Sequence, residues 1–288
     1  ADAPPADAPP ADAPPADAPD AQPDAAAVVE LGRLLFWDPI LSGPGDVACA
    51  TCHHPDFAYG DGRPLSIGVG GVGLGPNRRL APGGELVGRN APTVLNTGLN
   101  GWVQPNRLPN PATAPMFWDS RVRSLETQAT GPVMAALEMR GDAFPEDEAL
   151  DRAVERLREV PEYVDTFADA FGGTGPGAID ADRMAHAISE FERHLSRPDS
   201  AYDRWLDGDD GALDAQQQRG LAAFQRVGCD ACHGGPMFSD YRLHRLGAPD
   251  NPARGEPDSG DGTFRFRTPT LRNVARTGPY MHGGVFGT

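Results

Sequence analysis

Length, charge and hydropathy exclude several kinds of protein. The chain has 288 residues, enough for two modest domains. Its formal net charge of −16 argues against binding to nucleic acid or anionic membranes, and would suit a basic partner. The sequence has no apolar run of about 18 residues, so it predicts no transmembrane span. Its 35 Gly and 30 Pro residues predict long loops between helices and little sheet.

The beginning of the chain is a low-complexity segment in which ADAPP starts at positions 1, 6 and 11. Proline at this density favours extended polyproline II, and the interspersed Asp residues repel one another. Residues 1–27 are therefore predicted to be a disordered tether. Order is expected to begin near Ala25, because Val28, Leu31 and Leu35 then follow at helical spacing. The aromatic Trp37, which closes this helix, is interpreted as a packing residue rather than an electron relay.

Two five-residue motifs contain all four Cys of the chain: CATCH at residues 49–53 and CDACH at residues 229–233. C-x-x-C-H is the attachment signature of c-type haem. Its two thiols add to the haem vinyl groups, and the His that follows ligates the iron. The alternatives are a four-Cys zinc site and a pair of redox dithiols. Zinc ribbons usually place two C-x-x-C pairs roughly 15–20 residues apart, far closer than these two, so two haem c groups are favoured.

The segment after the first motif, residues 60–92, is rich in Gly and Pro and has no regular periodicity. Its glycines at 68–75 approximate a dinucleotide-binding motif, but no strand precedes them. A loop whose backbone closely approaches the haem edge is therefore the better interpretation. After His54 no His occurs before His186, so this loop offers the first iron no imidazole as a second ligand. An open coordination position is typical of peroxidases and oxygen-activating haem proteins.

Apolar stripes at helical spacing also occur in the second half of the chain. The last predicted helix leads directly into the second motif, which repeats the helix-then-motif order of the first half. The sequence therefore predicts an all-α protein of two cytochrome c-like haem domains joined by long Gly/Pro-rich loops, with a boundary between residues 28–197 and 198–288. The helices predicted in this half cover residues 146–160, 161–171, 180–196 and 214–227.

Several longer motifs occur in a fixed order around the two haem motifs, and with them the chain resembles the bacterial di-haem cytochrome c peroxidase family. This family includes MauG and MbnH, which oxidise residues of partner proteins. The resemblance covers about residues 28–286, and it implies a peroxidatic first haem and an electron-transfer second haem. The motifs are LGRLLFWDPILS (31–42), GRNAPTVLN (88–96), MFWDSRVRSLETQATGP (116–132), EMRGD (138–142), GCDACHGGPMFSD (228–240) and TPTLRNVARTGPYMHGG (268–284).

The resemblance also implies residue roles at the haems. The proximal ligands match His53 and His233, which follow the Cys49/Cys52 and Cys229/Cys232 pairs. Trp118 matches the Trp that lies between the two haems. Without the family, it would be interpreted as a core aromatic.

Gln128 and Glu138 match polar residues of the peroxidatic pocket. They are ten positions apart in a predicted helix over 124–139, about three turns, so both can lie on one face. A carboxylate beside an open iron could shuttle the proton of the peroxide. The residues alone would favour a solvated helix Glu.

A calcium site is the third feature that the resemblance implies. Asn90, with the backbone carbonyls of Thr277 and Pro279, matches a site between the two domains. Amide and carbonyl oxygens are ligands that Ca²⁺ prefers. Taken alone, Asn90 would be interpreted as a turn residue.

Two features depart from classical family members. In those members a His in the loop before the GRNAPT-like motif ligates the oxidised first haem; its absence here favours the MauG branch. The family's distal ligand to the second haem, Met or Tyr, would fall beyond Thr288. We therefore expect a truncated sequence or a different ligand. Met281 and His282 lie near, but they do not match the axial position.

The favoured function is a di-haem c-type peroxidase that reduces hydrogen peroxide at an open first haem, with electrons passed through the second. It implies two covalently bound haem c groups, one calcium ion and a small redox protein as donor. One alternative is a MauG/MbnH-like enzyme that oxidises Trp or Tyr of a partner protein. The others are a non-catalytic electron-transfer cytochrome and a zinc-binding structural protein.

Haem c is attached outside the cytosol, which predicts a periplasmic protein held through its N-terminal tether. No secretion signal precedes that tether, so the numbering is expected to be that of a processed or trimmed protein.

Overall fold

The computed structural model describes residues 23–288, which are mostly helical, with only short strands. The strands form three antiparallel pairs: Gly71–Val72 with Arg79–Leu80, Pro115–Met116 with Val122–Arg123, and Leu243–His244 with Phe266–Arg267. The α-helices are α1 (Ala25–Trp37), α2 (Cys49–Cys52), α3 (Leu125–Met134), α4 (Ala149–Arg158), α5 (Pro161–Phe171), α6 (Ala181–His194), α7 (Ala201–Leu206) and α8 (Ala215–Arg226).

Local sequence signals set the ends of α1. The side chain of Asp24 caps its first turn, accepting from the amides of Ala26 and Ala27. The helix ends at Trp37, because Pro39 follows Asp38 and disfavours helical geometry there. The onset predicted near Ala25 is confirmed, so the last three residues assigned to the tether belong to α1. The rest of the predicted tether, up to residue 22, lies outside the described residues.

Helix α1 lies against α6 at the centre of the main core. A Cβ atom built on Gly32 would come within 1.9 Å of the Ala187 carbonyl oxygen, so only glycine permits this crossing. Phe36 is fully buried and packs on Phe191, with ring centroids 5.1 Å apart. This core is formed by residues between 28 and 195, so it encloses the first motif but not the second.

The other predicted helices are confirmed with small shifts. The predicted 146–160 helix starts with a 3₁₀ turn at Glu146–Glu148 and continues as α4, and α5 occupies the predicted range. Helix α8 begins with a capping box in which Asp214 and Gln217 each bond the other's backbone amide. It leads into the second motif as predicted.

The continuous helix predicted over residues 124–139 is wrong. Helix α3 ends at Met134, Ala135 has extended geometry (φ −77°, ψ 125°), and a π-helical turn follows at Ala136–Arg140. Pro132 inside α3 removes a backbone donor and weakens the last turn. The π turn is fixed from outside by the glycine loop, because a Cβ on Gly68 would lie 2.0 Å from the Leu137 carbonyl oxygen. The glycine loop therefore packs its backbone closely against this turn, whereas its approach to the haem edge stays a prediction.

Polar contacts join separate elements of residues 198–288. The Arg272 guanidinium forms an ion pair with the buried carboxylate of Asp203 and donates to the Pro236 carbonyl. Thr270 Oγ1 donates to the Met237 carbonyl at 2.5 Å. Within residues 23–288, none of the helices combines the length and apolar character needed to cross a bilayer.

Candidate functional site

The first motif forms one helical turn that orients its histidine for metal binding. Cys49 to Cys52 make up α2, and the His53 amide donates to the Cys49 carbonyl at 2.9 Å. The ring Nδ1 of His53 donates to the Tyr59 carbonyl at 3.2 Å, which leaves the Nε2 lone pair for a metal. Burial lowers the pKa of His53, so the ring is neutral at pH 7.

The second motif has the corresponding hydrogen bonds, but its backbone forms a 3₁₀ turn rather than an α-helical one. Cys229 to Ala231 form a 3₁₀ turn, and the His233 amide donates to the Cys229 carbonyl at 2.9 Å. Nδ1 of His233 donates to the Phe238 carbonyl, also at 2.9 Å. Each motif thus combines two thiols on one turn with an imidazole whose second nitrogen is free, and these groups fit a covalently attached haem.

The zinc alternative finds no support in the positions of the cysteines. All four lie within residues 23–288 and none forms a disulfide. In that part of the chain, no group of three or more potential metal-ligand atoms contains more than one Cys. The four-thiolate cluster of a structural zinc site is therefore not formed.

Glu138 lies on the π turn beside the first motif, and its carboxylate accepts no hydrogen bond from residues 23–288. Burial raises the pKa of Glu138. Burial also raises the pKa of Cys52 to about 12, and the negative charges of Asp61 and Glu138 add to that shift. The partly buried Glu138 carboxyl, which accepts no hydrogen bond from residues 23–288, therefore lies close to the Cys52 thiol that would carry the haem.

Gln128 lies on α3, which packs against the π turn, and is half-buried. The helical register used to relate Gln128 to Glu138 is wrong, because the helix breaks at Ala135 between them. The two residues instead belong to adjoining elements that pack together. The sequence signal for the break was Pro132, six residues before Glu138.

Trp118 is 9% exposed and connects the two halves of the chain. Its indole Nε1 donates to the Asn90 carbonyl at 2.9 Å, and its own carbonyl accepts from the Arg267 amide at 2.6 Å. It also lines a cleft of about 170 Å³ beside Cys232 and His233. Both its ring and its backbone are thus fixed at the junction of the segments that carry the two motifs.

Arg267, which the sequence reasoning missed, lines the same cleft. Its side chain is buried, and its Nε donates to the Phe117 carbonyl at 3.0 Å. Within residues 23–288 it forms no ion pair, although a buried cation normally requires an anion. A haem carries two carboxylates, so this cation fits a haem in the cleft. The available signal was a positive charge immediately before the TPTLRN motif.

The predicted calcium ligands lie on two segments that meet. The Asn90 amide donates to the His282 carbonyl at 2.7 Å, and Asn90 Nδ2 donates to the Arg63 carbonyl at 2.7 Å. Asn90 Oδ1 and the carbonyl oxygens of Thr277 and Pro279 accept no hydrogen bond from residues 23–288. These oxygens therefore suit a hard cation.

His282 and Met281 line the cleft that contains His233. His282 is 5% exposed, stacks on Phe266 with ring centroids 3.7 Å apart, and places Nε2 3.3 Å from Asp250 Oδ1. These contacts do not test the prediction that neither residue is the axial ligand of the second haem, so it stays a prediction.

The mostly helical fold, the two C-x-x-C-H motifs and the Trp between them are the features of a c-type di-haem protein. The profile of the family described as "Di-haem cytochrome c peroxidase" matches residues 26–211. The chain belongs to this family.

Relatives and solved structures agree. The chain is 36% identical over 274 residues to the methylamine utilization protein MauG of Methylorubrum extorquens, covering 93% of this chain and 68% of the relative. It is 38% identical to the cytochrome c551 peroxidase of Pseudomonas aeruginosa, covering 91% of this chain and 69% of the relative. A MauG-like protein associated with microbial copper homeostasis superimposes with a TM-score of 0.69 at 29% identity, covering 97% of this chain and 78% of that one. The diheme peroxidase BthA of Burkholderia thailandensis shares the fold, with a TM-score of 0.68 at 24% identity over 93% of this chain and 70% of its own.

Family membership makes the chain an oxidoreductase of the peroxidase type. It therefore favours an enzyme over the plain electron carrier and the zinc-binding protein. The family is defined by two haem groups, which matches the number of motifs.

Proposed function

We propose that this chain holds two haem c groups and reduces hydrogen peroxide at the first. Cys49, Cys52 and His53 would hold the first haem, and Cys229, Cys232 and His233 the second. When bound, the first haem would supply the redox chemistry for the two-electron reduction of peroxide. The observation that carries the proposal is the Glu138 carboxyl, which has a raised pKa and lies beside the first motif without a hydrogen-bond donor.

Glu138 supplies the proton transfer in this proposal. Peroxide reduction to two waters consumes two protons, and one must move from the oxygen that binds to the oxygen that leaves. Burial makes Glu138 bind a proton more readily than a solvated carboxylate does, so the carboxyl can accept that proton from one peroxide oxygen and return it to the other. Gln128 would orient the peroxide, since an amide offers both a donor and an acceptor.

Trp118 carries electrons between the two segments in this proposal. Its ring is held by the bond to Asn90 and its backbone by the bond to Arg267, so it is fixed without reorganisation. The arrangement supports one peroxidatic domain over residues 28–197 and one electron-transfer domain over residues 198–288. Arg267 would hold a haem carboxylate in the second domain.

The proposal also includes a calcium ion, a periplasmic location for the protein and a small redox protein as electron donor. Asn90, Thr277 and Pro279 offer the oxygens for Ca²⁺ at the junction of the two segments. Because haem c is attached outside the cytosol, the protein would act in the periplasm, held through its N-terminal tether. The net charge of −16 would suit a small basic redox protein as the electron donor.

A second candidate function is oxidation of Trp or Tyr in a partner protein. It is favoured by the loop that follows the first motif, because residues 55–115 contain no His that could occupy the first iron. The similarity to the MauG protein of Methylorubrum extorquens is in line with it. Both candidates need the same open first haem and differ in where the electrons originate.

The experiment is performed on the holoprotein, matured in a host that attaches haem c. A pyridine haemochrome assay should give two haems per chain, and electron paramagnetic resonance of the oxidised protein should show a high-spin signal. Peroxide should react without prior reduction of the protein. Spectra that contain only low-spin haem, or the absence of a reaction with peroxide, would reject the proposal.

The same preparation separates the two candidates. Peroxide is supplied with reduced cytochrome c in one arm, and with proteins encoded beside this one in the other. Rapid cytochrome oxidation without modified protein selects the peroxidase. A mass shift on a Trp or Tyr, with negligible cytochrome oxidation, selects the protein-oxidising enzyme.

A further inference from the structure

Trp37 is the one exposed tryptophan among the four of the chain, all of which lie within the described residues. Its side chain is 41% exposed, whereas Trp102 and Trp118 are buried and Trp205 is half-buried. It is the last residue of α1, and its neighbour Phe36 supplies the core contacts at this end of the helix. The sequence-based interpretation of Trp37 as a packing residue therefore leaves its exposure unexplained.

The indole of Trp37 meets the ring of His54 edge-on, with centroids 5.4 Å apart and an interplanar angle of 75°. His54 directly follows His53, which would ligate the iron of the first haem in the proposal above. The His54 ring is fixed, because its Nδ1 accepts from the Asp56 amide at 3.2 Å and its centroid lies 5.9 Å from that of the tilted Phe57 ring. A rigid path of two rings thus leads from the surface to the residue beside the iron ligand.

The surroundings of this path favour transient positive charge. The Asp56 carboxylate lies 3.6 Å from His54 Nδ1 and is largely exposed, so its effect is modest and screened by salt. A tryptophan that loses one electron becomes a cation until its Nε1 proton leaves. Because Trp37 is 41% exposed, that proton can pass to solvent.

We propose that Trp37 is a surface oxidation site, at which phenols donate electrons to the first haem through His54. The proposal rests on the function proposed above, which supplies the oxidant. Trp37 gives one electron inward and loses its Nε1 proton; a phenol then returns one electron and one proton and leaves as a phenoxyl radical. Two such cycles balance each peroxide: H₂O₂ + 2 ArOH → 2 H₂O + 2 ArO•.

This route differs from the one through Trp118. Electrons from Trp37 reach the first haem directly, so they need neither the second haem nor the junction between the segments. The phenol can be a free molecule or a tyrosine of another protein, because both present the same group.

The test uses the full-length holoprotein and its Trp37→Phe variant, with Trp205→Phe as the matched control. Peroxide is first added without a reductant, and tryptic peptides are analysed by mass spectrometry. We expect Trp37 to gain one or two oxygen atoms from dissolved dioxygen, and Trp205 to remain unchanged. Peroxide is then supplied with 2,6-dimethoxyphenol in one arm and a tyrosine-containing peptide in the other. Oxidation should be lost in Trp37→Phe and retained in Trp205→Phe; the arm that responds identifies the source of the phenol.

Unmodified Trp37 together with undiminished phenol oxidation in Trp37→Phe would overturn the proposal. Circular dichroism and the haem spectrum establish that the variant is folded and loaded. Reaction of the wild-type protein with peroxide in the same experiment reports on the proposed function separately. If wild-type protein reacts with peroxide but Trp37 stays intact and its replacement has no effect, only the surface site is rejected.

Discussion

The two haem motifs share their local geometry but lie in different surroundings. Around the first, residues 28–195 form an apolar core of aliphatic and aromatic side chains. In residues 198–288, the only buried apolar side chains are Leu213, Pro236 and Met237. Helix α8, which leads into the second motif, has no buried residue although its sequence is amphipathic. The first segment therefore has an apolar core formed by its own side chains. The second segment buries few apolar side chains, and a haem would cover the apolar face of α8.

The largest expected effect comes from removing each attachment pair. Cys229→Ala with Cys232→Ala should unfold much of residues 198–288, because little apolar protein surface is buried there without the haem. Cys49→Ala with Cys52→Ala should abolish the reaction with peroxide but leave the α1–α5–α6 core helical. Limited proteolysis and circular dichroism measure both outcomes. Equal resistance of residues 198–288 to protease in the two variants would contradict the difference between the segments.

The proton transfer that accompanies peroxide reduction should depend on residues of the first segment alone. Glu138→Gln is expected to lower the rate of the peroxide reaction by about 100-fold, because it removes the proton carrier and keeps the shape. Stopped-flow absorbance of the haems measures this rate. Glu155→Gln, on the exposed face of α4, is the matched control and should react like the wild type. A rate within a few fold of wild type in Glu138→Gln would remove Glu138 from the mechanism.

Buried carboxylates should give the two segments opposite pH dependence. Glu192 lies beside Cys49, is 5% exposed, and accepts a hydrogen bond from Thr97 Oγ1 at 3.0 Å. Burial raises the pKa of Glu192 to about 7, so the folded state holds a proton that the unfolded state releases above about pH 4.5. Stability from this residue is therefore lost as pH rises from about 4.5 to about 7.

Glu192→Gln should remove this loss. Its free energy of unfolding should exceed that of wild type by at most about 3 kcal/mol at pH 8, with no gain at pH 4. Denaturant titrations of the holoprotein at both pH values measure the difference. A pH-independent change would assign Glu192 a purely packing role.

Asp258, in the second segment, should behave in the opposite way. Burial alone would raise its pKa, but the guanidiniums of Arg89 and Arg254 hold the pKa of Asp258 below its usual range. Its stabilising contribution is present above its unfolded pKa and is lost as pH falls through the folded value. Asp258→Asn should therefore destabilise the protein at pH 7 and matter less in acid, measured by the same titrations.

Two helix glycines give the smallest and most local comparison. Gly32→Ala should destabilise the protein by about 1 to 3 kcal/mol, because the added methyl meets the Ala187 backbone. Gly220→Ala in α8 meets nothing within 4 Å and should stabilise the helix by up to about 1 kcal/mol. Thermal unfolding of both variants measures these effects. Destabilisation by Gly220→Ala with loss of the second haem would mean that the haem covers that position closely.

The sequence by itself determined the features that depend on neighbours within one turn. The onset of α1 near Ala25, the helix that leads into the second C-x-x-C-H motif and the apolar stripes of α1 and α6 are local patterns, and each predicted structure is present. The predicted mostly helical fold and family follow from these patterns and from the longer motifs.

Only the tertiary structure decided the features that depend on residues far apart in the chain. The break at Ala135 and the position of Glu138 need Gly68 packed against the π turn. The buried position of Arg267, without an ion pair in residues 23–288, follows from its hydrogen bonds to the carbonyls of Phe117 and Trp118, about 150 residues earlier in the chain. The exposure of Trp37 depends on which side of α1 the core covers. In each case a long-range contact overrides the local preference, because packing fixes the position of a side chain more strongly than its own helical propensity does.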